Sequence, residues 1–396
     1  MKNKYLFFLL LTTVFSFSSC IQDEAPNAEC DIVSVDLTSG WFKTNENILV
    51  GEFKIKNNEI IFKVKKETDF ATIDINHESL IVSFTLTPGA RIEQYNGNVA
   101  NKTGIKKDKN GIELWYTVRA EDGIWSKDYK IMFVKMPLLD PEHVFGFENI
   151  ELIKDSKGRE FNGWYEVNKD GLRSDVWSNG NAGFATVAGK KPASEYPTTT
   201  SSEGFSGDCV KLITRTAPGG AVMKMPIAAG NIFIGDFDSE NATKLKEKAT
   251  HFGLQIIPEG HKPIALKGHY KYTAGTKFTD KNNKVVKDRK DECSIYAVLF
   301  EIDPTNFIPL DGSNITSSDR IVLMADLKEP GEPAEWKEFN IPFEQMNGKE
   351  FDYEKLKNNE YAITIVASSS KNGAFFEGAV GSTLFIDELK IEWEKE

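Results

Sequence analysis

The chain has 396 residues, of which 48 are Lys or Arg and 59 Asp or Glu, giving a formal net charge of −11. A surface this acidic disfavours nucleic acid and anionic polymers. Past the first 20 residues no stretch approaches the roughly 18 continuous apolar residues of a spanning helix.

Lys2 and Lys4 precede an apolar run from Tyr5 to Phe17, too short to cross a bilayer and built like a signal peptide. It closes on Phe17-Ser18-Ser19-Cys20, where small residues before a cysteine suit a lipoprotein signal peptidase; Phe17 stands where Leu or Val is usual. The reading is a leader over 1–19, lipidation of Cys20 and a polar tether over 20–30. Loss of Lys2 and Lys4 then takes the charge from −11 to −13. The lipid would be the only membrane contact, and Asp23 and Glu24 after the cysteine resemble an export signal to the outer face of the outer membrane. Cys30, Cys209 and Cys293 remain, an odd number, and the two later ones sit in strand-like runs, as small buried hydrophobes do.

From 31 to 136 the chain reads as short period-two strands, among them Ile60–Lys65, Leu80–Leu86, Leu114–Val118 and Tyr129–Val134, cut by turns such as Thr87-Pro88-Gly89. That cadence predicts a β-sandwich of immunoglobulin size. The segments Phe84–Ala90 and Thr117–Gly123, followed by Lys127–Ile131, resemble the Ig-like modules at the N-termini of exported bacterial glycan-binding lipoproteins, which implies a spacer. Pro137 and Pro141 stiffen the connection over 136–142.

The second domain, 143–396, again shows short alternating strands between Gly-, Ser- and Pro-rich loops, with brief helical candidates at Ser239–Thr250 and Tyr353–Lys357. This predicts an all-β protein, an Ig-like β-sandwich followed by a larger jelly roll. Trp177–Gly183, Gly204–Leu212, Lys262–Tyr272, Ser368–Ser382 and Leu384–Glu388 resemble the "putative carbohydrate metabolism domain" of glycan-utilising bacteria. The resemblance implies a galactose-binding-like jelly roll and a poly- or oligosaccharide partner, and brings no catalytic motif.

Sugar recognition needs a flat apolar face for pyranose C–H bonds beside amides or carboxylates for the hydroxyls. Trp164 follows Asn162-Gly163, and Trp177 precedes Asn179 and Asn181, so these four are the carbohydrate-binding candidates. Trp177 is either an exposed stacking platform or a buried plug of the sandwich. Alternation puts Ile264, Leu266, Gly268, Tyr270 and Tyr272 on one face, which is core or the floor of a concave site, core being the favoured reading; Trp115 and Trp393 are read as core too.

A glycosidase would need two carboxyl groups roughly 5 to 9.5 Å apart; Asp236, Asp291, Glu292, Glu301 and Glu377 lie in suitable surroundings, and no pair is singled out. His251, His261 and His269 have no zinc-motif spacing, and Gly204–Asp208 lacks the second glycine of a nucleophile elbow. Glu148 and Asp387 fall where jelly-roll carbohydrate modules hold a structural Ca²⁺ ion with hard oxygen donors. The functional expectation is a surface-tethered carbohydrate-binding lipoprotein, working beside other glycan-utilisation proteins. The alternatives are a glycoside hydrolase and a structural or adhesive surface protein.

Overall fold

The computed structural model describes residues 26–396 except 50–52, 57, 65–67, 76, 96–104, 109–110, 136–138, 156, 169–172, 219–223, 240–241, 243–245 and 305. The leader, Cys20 and the first half of the tether lie outside the described residues. Contacts divide the chain into two compact units: residues up to 44 with 74–105 and 114–130, and residues 45–73 and 106–113 with 131–396.

In the first unit, strand Ile32–Val35 pairs antiparallel with Phe84–Leu86, and Arg91–Gln94 pairs with the end of Gly111–Arg119. Leu80, expected to open a strand, instead lies buried in the short helix His77–Ile81. Trp115 is also half-exposed rather than core, because period-two alternation buries Leu114 and Tyr116 and turns Trp115 outward. The Tyr129 hydroxyl donates to Asp31 (2.9 Å), which also pairs with Lys127. Those two bonds draw the Asp31 carboxyl below the ordinary range against the opposing effect of burial.

The second unit is dominated by a sandwich of two antiparallel sheets. Its strands are β1 (Trp177–Ser178), β2 (Thr198–Ser201), β3 (Cys209–Ile213), β4 (Asn231–Phe237), β5 (Thr250–Phe252), β6 (His261–Thr273), β7 (Ser294–Glu301), β8 (Ile321–Asp326), β9 (Lys337–Pro342), β10 (Glu344–Gln345), β11 (Tyr361–Ser368) and β12 (Thr383–Lys395). The back sheet runs β2-β3-β12-β6-β9. The front sheet runs β1-β4-β11-β7-β8-β10, with β5 alongside β4.

Between them lies one core: Val210, Leu266, Tyr270, Tyr272, Leu384 and Ile386 from the back meet Ile232, Ile295, Leu299, Ile363 and Ile365 from the front. Each such side chain contributes roughly 1.5–3 kcal/mol by leaving water. Tyr270 and Tyr272 are core, as their alternation predicts. Ile264 is not: the β6–β12 register shifts between Pro263 and Ala265, and that bulge turns Ile264 outward, leaving it exposed.

The front sheet is buried on both faces. On β7 and β11 the residues that point away from the back sheet, Tyr296, Val298, Phe300, Ala362 and Val366, join a second cluster with Phe252, Leu310 and Ile315. This is why the middles of these two strands read as apolar runs, interrupted only by Thr364. Tyr353–Lys357 is helical as expected, capped by Asp352 accepting from the Glu354 N–H. Within Ser239–Thr250 the described residues show only a 3₁₀ turn at Lys246–Lys248, while a helix the sequence did not suggest runs over Asn181–Ala188. Cys30, Cys209 and Cys293 are free and buried.

Candidate functional site

The four sugar-binding candidates are interior residues. Trp177, at 8% exposure, packs against Phe145 and Phe147 at ring separations of 5.0 and 5.1 Å, and its Nε1 donates to Glu166 at 2.7 Å. It is the plug, with no face free for a pyranose. Trp164 is buried in the same core. Asn181 is fully buried at the start of the unpredicted helix; its amide imitates a strand edge, donating to the Thr198 carbonyl and accepting from the Thr198 N–H. Asn179 is buried too and accepts from the Asn181 N–H. The stacking role expected of this segment is therefore withdrawn: Gly and Asn here build a helix start, not a loop.

Glu148 and Asp387 do converge, on the loop Gly204–Asp208. Asp387 Oδ2 accepts from the Ser206 N–H (3.0 Å) and Oδ1 from the Glu388 N–H (2.8 Å), while both Glu148 oxygens face the Asp208 N–H. One amide N–H thus reaches each Asp387 oxygen, and among the described residues no group of three or more His, Cys, Asp or Glu gathers to hold a metal. A Ca²⁺ ion on these two carboxylates would need backbone carbonyls to complete its shell. Burial pushes the Asp387 carboxyl up to about 6, against the lowering effect of the amides.

Three of the carboxylates named from sequence, Glu301, Glu377 and Asp291, have partners of their own. Glu301 is held between Lys349 and Lys355, and Glu377 lies near Arg289 and Asn372. Asp291 is a buried hub whose Oδ2 accepts from Ser370 Oγ (2.6 Å), Ser382 Oγ (2.7 Å) and the Ala379 N–H (2.7 Å). Ser370 Oγ bonds onward to Thr214 Oγ1 (2.6 Å), and Thr214 to Ser369 Oγ (2.8 Å). This network fixes the return from β11 into residues 371–376. Gly378 is required there, since a Cβ would come within 2.5 Å of Ser370 Oγ.

That return forms one wall of a cavity of about 660 Å³ over the outer face of the front sheet, within the roughly 300–1,000 Å³ typical of small-molecule sites. Its floor is two transverse rows set by strand register. Phe233, Val366, Tyr296 and Asp326 stand opposite one another across β4, β11, β7 and β8; beside them run Asn231, Ser368 and Ser294. One row offers aromatic and aliphatic surface ending in a carboxylate, the other an amide and two hydroxyls.

Phe184 and Val187 of the Asn181–Ala188 helix supply an apolar wall, Ser313–Ser317 the far side, and Glu247 and Lys371 charged groups at the lining. Phe375 stands at the rim, 49% exposed. Phe376 beside it holds a left-handed backbone, φ 60°, a strain of about 1–3 kcal/mol that concentrates at ligand sites. Burial raises the Tyr296 phenol well above its ordinary range and Asp326 adds to the shift, so its hydroxyl stays protonated and able to donate. Glu247 and Asp326 are the two carboxylate residues of the described lining.

Sequence reasoning missed these residues because the floor is assembled from strands far apart in the chain. The exceptions are Gly180 and Gly183, in the Trp177–Gly183 run, and Ser368, Ser370 and Lys371–Phe376, in the Ser368–Ser382 run, both of which carried the family resemblance.

No curated protein matches the chain. A solved structure from Bacteroides thetaiotaomicron described as a "putative glycoside hydrolase" is similar at 36% identity, over 95% of this chain and 100% of its own, with a TM-score of 0.73. Another, given the same description and from Bacteroides vulgatus, is 37% identical over 63% of this chain and 98% of its own, with a TM-score of 0.58. A family model matches residues 146–392, the span that contains both sheets and the cavity, and with these likenesses it shows that the chain belongs to the family described as "Putative carbohydrate metabolism domain".

Proposed function

We propose that the front-sheet cavity binds a segment of poly- or oligosaccharide, and that the protein does so at the outer membrane, anchored by lipid at Cys20. The observation that carries this reading is the pairing of the two floor rows. An apolar strip beside a strip of amide and hydroxyl groups matches the two chemistries of a sugar ring, and Phe375 at the rim extends the apolar strip toward solvent. Family membership and the similarity to two structures described as glycoside hydrolases support the carbohydrate assignment.

Affinity electrophoresis across plant, host and microbial polysaccharides, with Phe375→Ala and Ser294→Ala as cavity variants, tests it. Retardation by at least one neutral glycan, weakened in both variants, is expected. Silence across the panel, or retardation untouched by either variant, overturns it. Anchoring is tested separately: Cys20→Ala should abolish radiolabelled palmitate incorporation and release the protein from the membrane fraction.

Hydrolysis is a second reading, favoured by one observation: Glu247 and Asp326 line the same cavity. It predicts slow release of reducing ends from the retarding polymer, lost in both Glu247→Gln and Asp326→Asn while the glycan still binds. Binding without product release retires it.

A further inference from the structure

The loop Gly204–Asp208, which serves neither the core nor the cavity, is built to hold one aromatic ring outward. Each of its turns is fixed: the Gly204 N–H donates to the Gly207 carbonyl (3.1 Å), the Ser206 N–H to Asp387 and the Asp208 N–H to Glu148. Gly207 has a left-handed φ of +68°, and a Cβ there would come within 2.1 Å of Glu148 Oε1; one on Gly204 would come within 2.5 Å of the Gly207 carbonyl oxygen. The outcome is Phe205 lying parallel on the His269 ring, centroids 3.6 Å apart at 9°, and still 51% exposed.

Around it the outer face of the back sheet continues the pattern. Trp336, just before β9, stands 6.3 Å from Phe205 at 76°, so the two rings form a corner. Lys271 on β6 lies 4.8 Å from the Trp336 ring and 4.7 Å from Phe385 on β12, and Lys211 on β3 lies 5.1 Å from Phe385. Other lysines on this sheet are paired with a carboxylate, Lys267 with Glu392 and Lys390 with Glu142. Lys211 and Lys271 have rings as neighbours, and among the described residues neither makes an ion pair. Glu338, opposite His269, borders the row, and Glu203 and Asp208 flank the Phe205 loop.

We propose that this face is a second glycan site, separate from the cavity, and that it takes a polysaccharide of uronic acid. A hexuronate carries in one residue the C–H face that stacks on an aromatic ring and a carboxylate for a nearby ammonium, and the corner of Phe205 and Trp336 beside Lys271 offers both partners at that scale. A local cationic strip on a chain of net charge −11 confines an anionic polymer to this face. The proposal does not depend on the cavity reading.

The test is affinity electrophoresis of the purified protein in gels containing polygalacturonate, dextran sulfate or no polymer, with thermal melts of every variant. Polygalacturonate should retard the wild type, and Phe205→Ala and Lys271→Gln should each weaken that retardation about tenfold without moving the melting temperature. The cavity variant Phe375→Ala should leave it unchanged. Raising ionic strength should weaken it further. Three results overturn the proposal: no retardation by polygalacturonate, equal retardation in Phe205→Ala and Lys271→Gln, or equally strong retardation by dextran sulfate, which marks bare charge attraction. Loss only in Phe375→Ala would move polygalacturonate to the cavity and also overturn it.

Discussion

The two sheets of the sandwich share one core and treat their outer faces in opposite ways. The front sheet is covered on both sides, and what lies over its outer face, the Asn181–Ala188 helix and the segments around Glu247, Ser313–Ser317 and Lys371–Phe376, leaves a cavity rather than a close fit. The back sheet alternates, and its outer face carries charged and aromatic side chains such as Lys211, His269, Lys271 and Phe385, partly open to water. An enclosed face can desolvate a few sugar units and read their hydroxyls; an open one can only offer rings and charges to a polymer passing over it. The difference arises from the residues at outward positions, Tyr296 and Val366 in front against Lys271 and Phe385 behind, on strands of similar geometry.

The largest expected effect breaks what the two sheets share. Trp177→Ala removes a plug packed on Phe145 and Phe147 and takes one of two partners from Glu166, which keeps His143, so it should cost about 3–5 kcal/mol of stability. Below its lowered melting temperature, affinity at either outer face should persist; a melt unchanged from wild type would return Trp177 to the surface.

Asp291→Ala sharpens the comparison by acting on one face. Two hydroxyls and an amide lose their acceptor, a cost of about 3 kcal/mol, and the return from β11 loosens. Neutral-glycan affinity should fall while polygalacturonate retardation at the back stays. Equal loss at both faces would mean that the network supports the whole sandwich and not the cavity wall.

On the back, Asp387 gives a pH signature. Its folded-state value of about 6 lies above the ordinary 3.8, so between those values the folded protein holds a proton the unfolded chain has released. Stability from this group is fully present below about 4 and is lost as pH rises through 6, on the order of 2–3 kcal/mol. The difference in unfolding free energy between wild type and Asp387→Asn should therefore fall as pH rises from about 4 to about 6, as denaturant titrations would show. A difference constant over that window contradicts the burial argument.

The smallest effect is Phe375→Ala, which should weaken cavity binding by about 1–2 kcal/mol, as loss of an exposed aromatic contact does, with no change in the melt.

The back sheet was the more legible of the two in sequence. Leu266, Tyr270 and Tyr272 announce their face by period two, and only the bulge at Pro263–Ala265, invisible in residue types, misplaced Ile264. On the front sheet Cys293–Ala297 read as a strand but not in orientation, because Ile295–Phe300 is apolar without a break and only Thr364 interrupts Tyr361–Ala367. Trp177 was ambiguous since its partners, Phe145, Phe147 and Glu166, come from other segments. The helix Asn181–Ala188 hid behind Gly183, a poor helix former. A site built by register from β4, β7, β8 and β11 has no local motif, so of its lining only Gly180, Gly183, Ser368, Ser370 and the Lys371–Phe376 wall lay within recognisable runs.

The central claim, that carbohydrate enters the space over the front sheet, is tested most directly by hydrogen–deuterium exchange with and without oligosaccharides of the neutral glycan that most retards the protein. The account predicts slowed exchange over 371–376 and 312–317, with Cys209–Ile213 on the back sheet unchanged. Protection confined to segments outside the cavity, with 371–376 and 312–317 exchanging as in the free protein, would contradict it.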